Sequence, residues 1–208
     1  MDKIVIDNAI PKEKFYELQS TLLDFEQIPW FFQPNSSYTS EDVSLISISK
    51  ERELFDFQYT HLAMSEGKFN SSLCEVLLEE LYGILNNNGY SIIEVKRIKL
   101  NLLTTIAKGV VHIPHVDMNV GGWTSAVLYI NNSDGDTHFY KEVYNELDNY
   151  KETYQKLNFN DMELVGRVQP KENRFVMFDS NQFHSSSVPT QNQYRVVVNF
   201  IFKMKESK

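Results

Sequence analysis

His115 and Asp117 stand one residue apart, His184 follows much later in the chain, and Arg195 comes shortly after it. Two imidazoles and a carboxylate make up the 2-His-1-carboxylate face, which holds non-haem iron(II) and leaves coordination positions open. On a β-strand, positions i and i+2 point the same way, so His115 and Asp117 can reach one ion together. Three protein bonds leave three octahedral positions. A 2-oxo acid fills two of them through its C1 carboxylate and keto oxygen, and dioxygen takes the third. The far carboxylate of 2-oxoglutarate then needs a cation. Arg195 suits that task, because a guanidinium makes paired charge-assisted hydrogen bonds to a carboxylate and does not lose its charge. Tyr129 and Thr137 can add hydroxyl donors from neighbouring strands.

These residues need a sheet to position them, and the periodicity supplies one. From residue 92 onward apolar and polar residues alternate, with Ile98, Leu100 and Leu102 between Arg97, Lys99 and Asn101. Arg97, Lys99 and Asn101 either line the pocket or form the solvent face of an outer strand. Further strands are expected at Val111–Met118, Trp123–Asn131, Thr137–Tyr140, Met162–Val168, Arg174–Asp179, His184–Val188 and Arg195–Phe202. Turn signals such as Ser133-Asp134-Gly135-Asp136 and Glu172-Asn173 separate them. Antiparallel strands with few interleaved helices favour a jelly roll or barrel. His112 lies an odd number of residues from Asp117, which sends it to the opposite strand face and away from the ligand set. His61 reads as a surface or lid residue.

The first half, residues 1–91, is helical and loop-rich. Pro11–Phe25 carries Phe15, Leu18, Leu22 and Phe25 at helical spacing, with Pro11 suited to a first turn. Ser72–Asn88 starts with a capping-box pattern, Ser72 to Glu75, and shows an apolar face of Leu73, Val76, Leu77, Leu81, Ile84 and Leu85 that ends at Gly89. Pro29–Ser40 reads as a loop in which Trp30, Phe31 and Phe32 pack inward. Lys141–Leu157 reads as a surface helix inserted in the strand-rich half. The fold expected is therefore mainly β with flanking helices (α+β), one domain over 1–208, with its N-terminal helices packed outside a barrel core at 92–203.

Composition narrows the function. A chain of 208 residues, 42% hydrophobic and 13% aromatic, supports a packed core, and no run approaches the roughly 20 apolar residues of a membrane span. Cys74 is the only cysteine, which excludes an intrachain disulfide, and a cytoplasmic setting is expected. A net charge of −8 disfavours nucleic acid as the main partner.

The strand segments also resemble a known family. His115-Val-Asp117, then Val127–Phe139 with its Gly135-Asp-Thr137-His-Phe turn, then Pro170–His184, then Arg195-Val-Val-Val-Asn199 resemble the iron(II)/2-oxoglutarate-dependent dioxygenases. The branch closest in pattern is the prolyl 4-hydroxylase-like one, including small phage and bacterial members, and the resemblance covers about residues 95 to 203. It implies a double-stranded β-helix (a jelly roll, cupin-like), with iron on His115, Asp117 and His184 and 2-oxoglutarate on Arg195. It also implies that Tyr129 touches the cosubstrate and that Thr137 lies in the matching turn. Prolyl hydroxylases usually carry lysine where this chain has Arg195, so the resemblance does not select proline as substrate. The DNA-repair branch carries a second basic residue after the arginine, whereas Val196 to Phe202 are uncharged here.

The activity implied is O2-dependent hydroxylation of a small-molecule or peptide substrate, with ascorbate as a possible stimulant. The competing readings are a zinc hydrolase using the same three side chains and a non-catalytic metal- or sugar-binding jelly roll. Arg195 and the pattern around it speak against the first, and for the second the complete triad would be superfluous.

Overall fold

The computed structural model describes residues 2–36, 50–106, 109–145 and 150–207. Its strands in chain order are β1 (Ile4–Asp7), β2 (Phe31–Gln33), β3 (Gln58–Ser65), β4 (Lys68–Phe69), β5 (Tyr90–Thr104), β6 (Thr124–Tyr129), β7 (Thr137–Val143), β8 (Leu164–Val168), β9 (Arg174–Asp179), β10 (Gln182–Ser186) and β11 (Tyr194–Glu206). The helices are α1 (Lys12–Leu22), α2 (Lys50–Phe55), α3 (Leu73–Asn87) and α4 (Tyr150–Lys156). One large antiparallel sheet runs β1-β9-β6-β11-β5-β3-β2, with β4 paired to β3. A smaller sheet runs β10-β7-β8, and the segment around Val111 and His115 flanks β10 through two isolated bridges. This is the expected jelly roll with helices against it.

Alternation decides what each face of the large sheet does. Ile98, Leu100, Leu102, Leu128, Val196, Val198 and Phe200 point outward and pack with Phe15, Leu18 and Leu22 of α1 and Leu77, Leu81 and Ile84 of α3. The opposite face, with Val127, Tyr129, Val176, Phe178 and Val197, meets Phe139 and Val168 of the small sheet. The helix expected at Ser72–Asn88 forms as α3, Leu73–Asn87, with Asn88 as its C-cap before Gly89 with φ +80°. Its capping box does not form. Ser72 is itself helical in backbone and makes no cap bond, while Ser71 Oγ accepts the Leu73 N–H at 3.2 Å. Burial outweighs that loss: a cap is worth about 1 kcal/mol, whereas each buried leucine or isoleucine stabilises by roughly 1.5–3 kcal/mol. Val76 leaves the apolar face and is exposed.

Several other expectations change. Pro29–Ser40 is not all loop: Phe31–Gln33 forms edge strand β2, whose Phe31 and Phe32 are exposed, and 37–40 lie outside the described residues. β3, which sequence alternation does not announce, continues the sheet beyond β5. His61 is buried in β3, with its Nδ1 3.0 Å from the Pro29 carbonyl, and is not a surface residue. The Lys141–Leu157 insertion begins as the end of β7, and α4 then buries Tyr154 against Phe159 and Phe183; residues 146–149 lie outside the described set. The N-terminus is latched to the β8–β9 turn by Asn173, whose side chain accepts from Ile10 N at 2.9 Å and donates to Ile10 O at 2.7 Å.

Gly135 sits where the chain crosses Arg195 at close range. A Cβ there would lie 2.5 Å from the Ser187 carbonyl oxygen, 3.1 Å from Pro189 N and 3.2 Å from Arg195 Cδ. Backbone cannot yield cheaply, so Gly135→Ala should destabilise the fold by about 1–3 kcal/mol. Urea unfolding checks this; an unshifted midpoint would show that the turn relaxes freely.

Candidate metal centre and anion pocket

A backbone bridge builds the site. His115 N–H donates to His184 O and His184 N–H donates to His115 O, both at 2.9 Å, so the two residues face each other across an antiparallel pair. Their rings lie side by side with centroids 4.4 Å apart. The expected strand Val111–Met118 is not continuous. Pro114 has no N–H to give the ladder, and between the bridges Val111–Ser187 and His115–His184 this segment carries one residue more than its partner. The Ile113 N–H that the bulge turns away is taken by buried Asp56 Oδ1 at 2.8 Å. Asp56 also accepts from the Ser36 N–H and hydroxyl, tying the N-terminal half to the ligand segment. His112 stands outside the His115, Asp117 and His184 group, as its parity predicts; it is wholly buried, with Nδ1 3.2 Å from Ser186 Oγ. Burial first, and then the nearby Arg195 charge, push its pKa down to about 3.

His115, Asp117 and His184 offer ligand atoms that all lie within 4.8 Å of one another. His184 Nε2 is 3.6 Å from Asp117 Oδ2. Each ring is oriented from its other side: Nδ1 lies 3.4 Å from Ile113 O in His115 and 2.9 Å from Gln182 O in His184. Those contacts leave Nε2 of both as the lone-pair donor, the usual arrangement of metal-binding imidazoles. Burial, and in His115 the neighbouring His184, lowers both imidazole pKa values, so the rings are neutral and ready to ligate.

Asp117 carries the charge of this cluster. Its backbone N–H and that of Met118 both bond Ser180 O, at 2.9 and 3.1 Å, which turns the side chain toward the histidines. Burial works against ionisation, but Arg97 chiefly, then the two histidines and Ser125, hold the carboxyl well below the usual carboxylate range. Arg97 Nη2 donates to Oδ1 at 2.6 Å and to Asn199 Oδ1 at 2.9 Å. Ser125 Oγ donates to Oδ2 at 2.6 Å, and Asn199 Nδ2 reaches the same oxygen at 3.3 Å. Arg97, Ser125, Asn199 and Asp56 escape the sequence motif. The signal for the first was present in the Arg97-Lys99-Asn101 alternation, which the structure turns inward.

Deeper along β11 lies a second cluster. Arg195 is 3% exposed, its Nη2 donates to Thr137 Oγ1 at 2.8 Å, and that oxygen is 2.6 Å from the Tyr129 hydroxyl. The guanidinium stands 5.4 Å over the Tyr129 ring. Its Nε has no partner, and no carboxylate forms an ion pair with it, among the described residues. The three residues expected around the cosubstrate therefore do meet. A cavity of about 40 Å³ connects this cluster to the triad. It shares Lys99, His115 and Asp117 with an outer groove of about 1120 Å³ that opens past β2 and β3.

The fold has solved counterparts. An oxidoreductase of the 2OG-Fe(II) oxygenase family from Burkholderia pseudomallei superposes with a TM-score of 0.61 at 10% identity, covering 97% of this chain and 84% of that one. The epimerase SnoN from nogalamycin biosynthesis, in complex with Fe3+, alpha ketoglutarate and a nogalamycin compound, gives 0.57 at 9%, covering 99% and 81%. A prolyl hydroxylase from Trichoplax adhaerens, bound to a hypoxia-inducible-factor peptide, gives 0.52 at 16%, covering 97% and 83%. No family model and no curated protein sequence matches the chain. The chain thus has the jelly-roll fold of the 2-oxoglutarate/iron(II) oxygenases, and within it a His-Asp-His cluster suited to a metal ion.

Arg97 gives a direct test of how the carboxylate is held. Arg97→Met removes the main charge that keeps Asp117 ionised, so the carboxyl pKa should rise. Binding of cobalt(II), followed by its visible absorbance, should weaken by about ten- to a hundred-fold. Its loss on acidification should begin at a higher pH than in the wild type, because Asp117 now takes up its proton earlier. An acid limb in the same place would show that Ser125 and Asn199 suffice.

Proposed function

We propose that this chain is an iron(II)- and 2-oxoglutarate-dependent dioxygenase that hydroxylates a small-molecule or peptide substrate. The balanced reaction is R–H + O2 + 2-oxoglutarate → R–OH + succinate + CO2. The observation that carries this reading is the pairing, inside one barrel, of a neutral-histidine and ionised-carboxylate triad with a buried arginine that forms no ion pair, and leaves its Nε without a partner, among the described residues. An uncompensated buried cation is costly, and a dicarboxylate that also chelates the metal satisfies it.

The roles follow from position. His115, Asp117 and His184 would hold the metal, Asp117 supplying the negative charge. Iron(II), when bound, supplies the dioxygen chemistry and the oxidative decarboxylation of the 2-oxo acid. Arg195 would take the far carboxylate through the N–H groups that Thr137 leaves free, and the Tyr129 ring beneath keeps the guanidinium plane in place. The inner cavity alone has room for about one water, so a 2-oxo acid would occupy it together with the adjoining end of the groove. The rest of the groove would receive the substrate, with its target C–H bond facing the triad. A zinc hydrolase has no use for an unpaired arginine behind its metal.

His115→Ala, Asp117→Ala and His184→Ala should each abolish succinate formation in assays with iron(II), ascorbate and 2-oxoglutarate, with circular dichroism unchanged. Near-normal succinate release by any one of them would remove that residue from the triad.

Arg195→Ala should act on the cosubstrate and not on the metal. Truncating one partner of a buried charge pair costs about 2–5 kcal/mol, which corresponds to about thirty-fold or more in 2-oxoglutarate affinity. Anaerobic titration of the iron(II) protein, read by its visible charge-transfer band, measures this. Arg195→Lys should recover part of the loss by keeping the charge without the two-pronged geometry. Wild-type protein that never binds 2-oxoglutarate would defeat the oxygenase reading.

A further inference from the structure

We propose that Lys99 binds the C1 carboxylate of the 2-oxo acid, so that separate cations hold the two ends of the cosubstrate; this rests on the oxygenase reading above. Three observations lead there.

The first is where Lys99 stands. It lines both the inner cavity and the outer groove, at the junction where His115 and Asp117 also face the void. The strand register puts it opposite Asn199, whose amide reaches Asp117, so Lys99 lies at the level of the metal ligands. Arg195 lies opposite Leu103, four residues further along the same pair of strands. At ~3.3 Å per residue that is about 13 Å of strand between the two backbone positions. One basic side chain is thus placed for each end of an extended dicarboxylate.

The second is that Lys99 forms no ion pair among the described residues. Arg97 occupies Asp117 Oδ1, and Ser125 and Asn199 occupy Oδ2. Lys99 makes no ion pair with any carboxylate among the described residues, unlike Lys14, Lys96, Lys141, Lys156, Lys171 and Lys203. A structural role as counter-charge to the metal ligand is already filled by Arg97.

The third is what surrounds it. Burial, and then the Arg97 charge, pull the Lys99 pKa down to about 7, so a carboxylate arriving beside it restores its charge, and the amine lies close enough to act on His115 and His184. A chelating 2-oxo acid brings a carboxylate to that face, with one oxygen on the metal and the other free to accept a hydrogen bond. An ammonium offers three donors for it.

The test compares two ligands that share the 2-oxo acid end. 2-Oxoglutarate has a far carboxylate, and 2-oxopentanoate has none. Each is titrated anaerobically into the iron(II) protein by the charge-transfer band, in wild type, Lys99→Met and Arg195→Ala. Lys99→Met should weaken both ligands by a similar factor, about ten- to a hundred-fold, the worth of a hydrogen bond to a charged group. Arg195→Ala should weaken 2-oxoglutarate alone. Iron(II) affinity without ligand should not fall in Lys99→Met. Lys99→Gln serves in its place should the methionine variant not fold, with both ligands again weakened alike but by less, because its amide can still donate to the carboxylate. The proposal is overturned if Lys99→Met leaves both titrations unchanged, which would assign the ammonium to an anionic group of the substrate. It is equally overturned if only 2-oxoglutarate weakens, which would put Lys99 at the far carboxylate. Failure of the oxygenase reading shows differently, as absence of the band in the wild type with 2-oxoglutarate.

Discussion

Everything in the site depends on keeping Asp117 ionised where little water reaches it. A buried carboxylate is unstable as an anion unless its oxygens are fully engaged. Here four groups engage them: Arg97 on Oδ1, Ser125 and Asn199 on Oδ2, and the histidine pair beside it. Each comes from a different part of the barrel, Arg97 from β5, Ser125 from β6 and Asn199 from β11. The three strands are neighbours in the large sheet, in the order β6-β11-β5. Their register is therefore also the register of the charge network. A slip by one residue would turn all three side chains to the helix-packed face.

The same constraint explains why the ligand segment is not a regular strand. A ladder running through residues 111–118 would need an N–H at Pro114 and would leave no slack to bring Asp117 over the Ser180 carbonyl. The bulge supplies the slack, and the displaced Ile113 N–H needs a new acceptor because an orphaned buried donor is costly. Asp56 provides it from outside the barrel core and is fastened to Ser36. The N-terminal half is thus part of how the triad is aimed, besides covering the outer face of the sheet.

Charge is distributed along the barrel with the same economy. The chain carries a net charge of −8, yet Arg97, Lys99 and Arg195 all point inward, and the acid ion-paired among them is Asp117. Arg97 balances that ligand. The other two face the cavity and the groove, Lys99 with its pKa pulled down to about 7 by burial, and an anion entering there meets a favourable local field whatever the average charge of the surface.

What the sequence determined by itself was which candidate residues belong together and the broad architecture. That His115, Asp117 and His184 gather was legible from strand alternation and residue type, while the grouping of Tyr129 and Thr137 with Arg195 came from the family resemblance. The strands from β5 to β11 were legible from periodicity, as were the two amphipathic helices α1 and α3. Only the tertiary structure decided how these pieces are held. β3 reads poorly because both its faces are largely covered, so apolar and polar residues do not alternate cleanly. Parity counting kept His112 out of the ligand group, and the structure leaves it out as well, although the run around it is not a regular strand. The failed cap at Ser72 and the exposure of Val76, Phe31 and Phe32 reflect packing against particular neighbours, which local preference cannot encode. Asp56, Ser125 and Asn199 have ordinary residue types at unremarkable spacings. They matter because folding brings them within hydrogen-bond distance of groups far away in sequence, and no one-dimensional pattern records that distance.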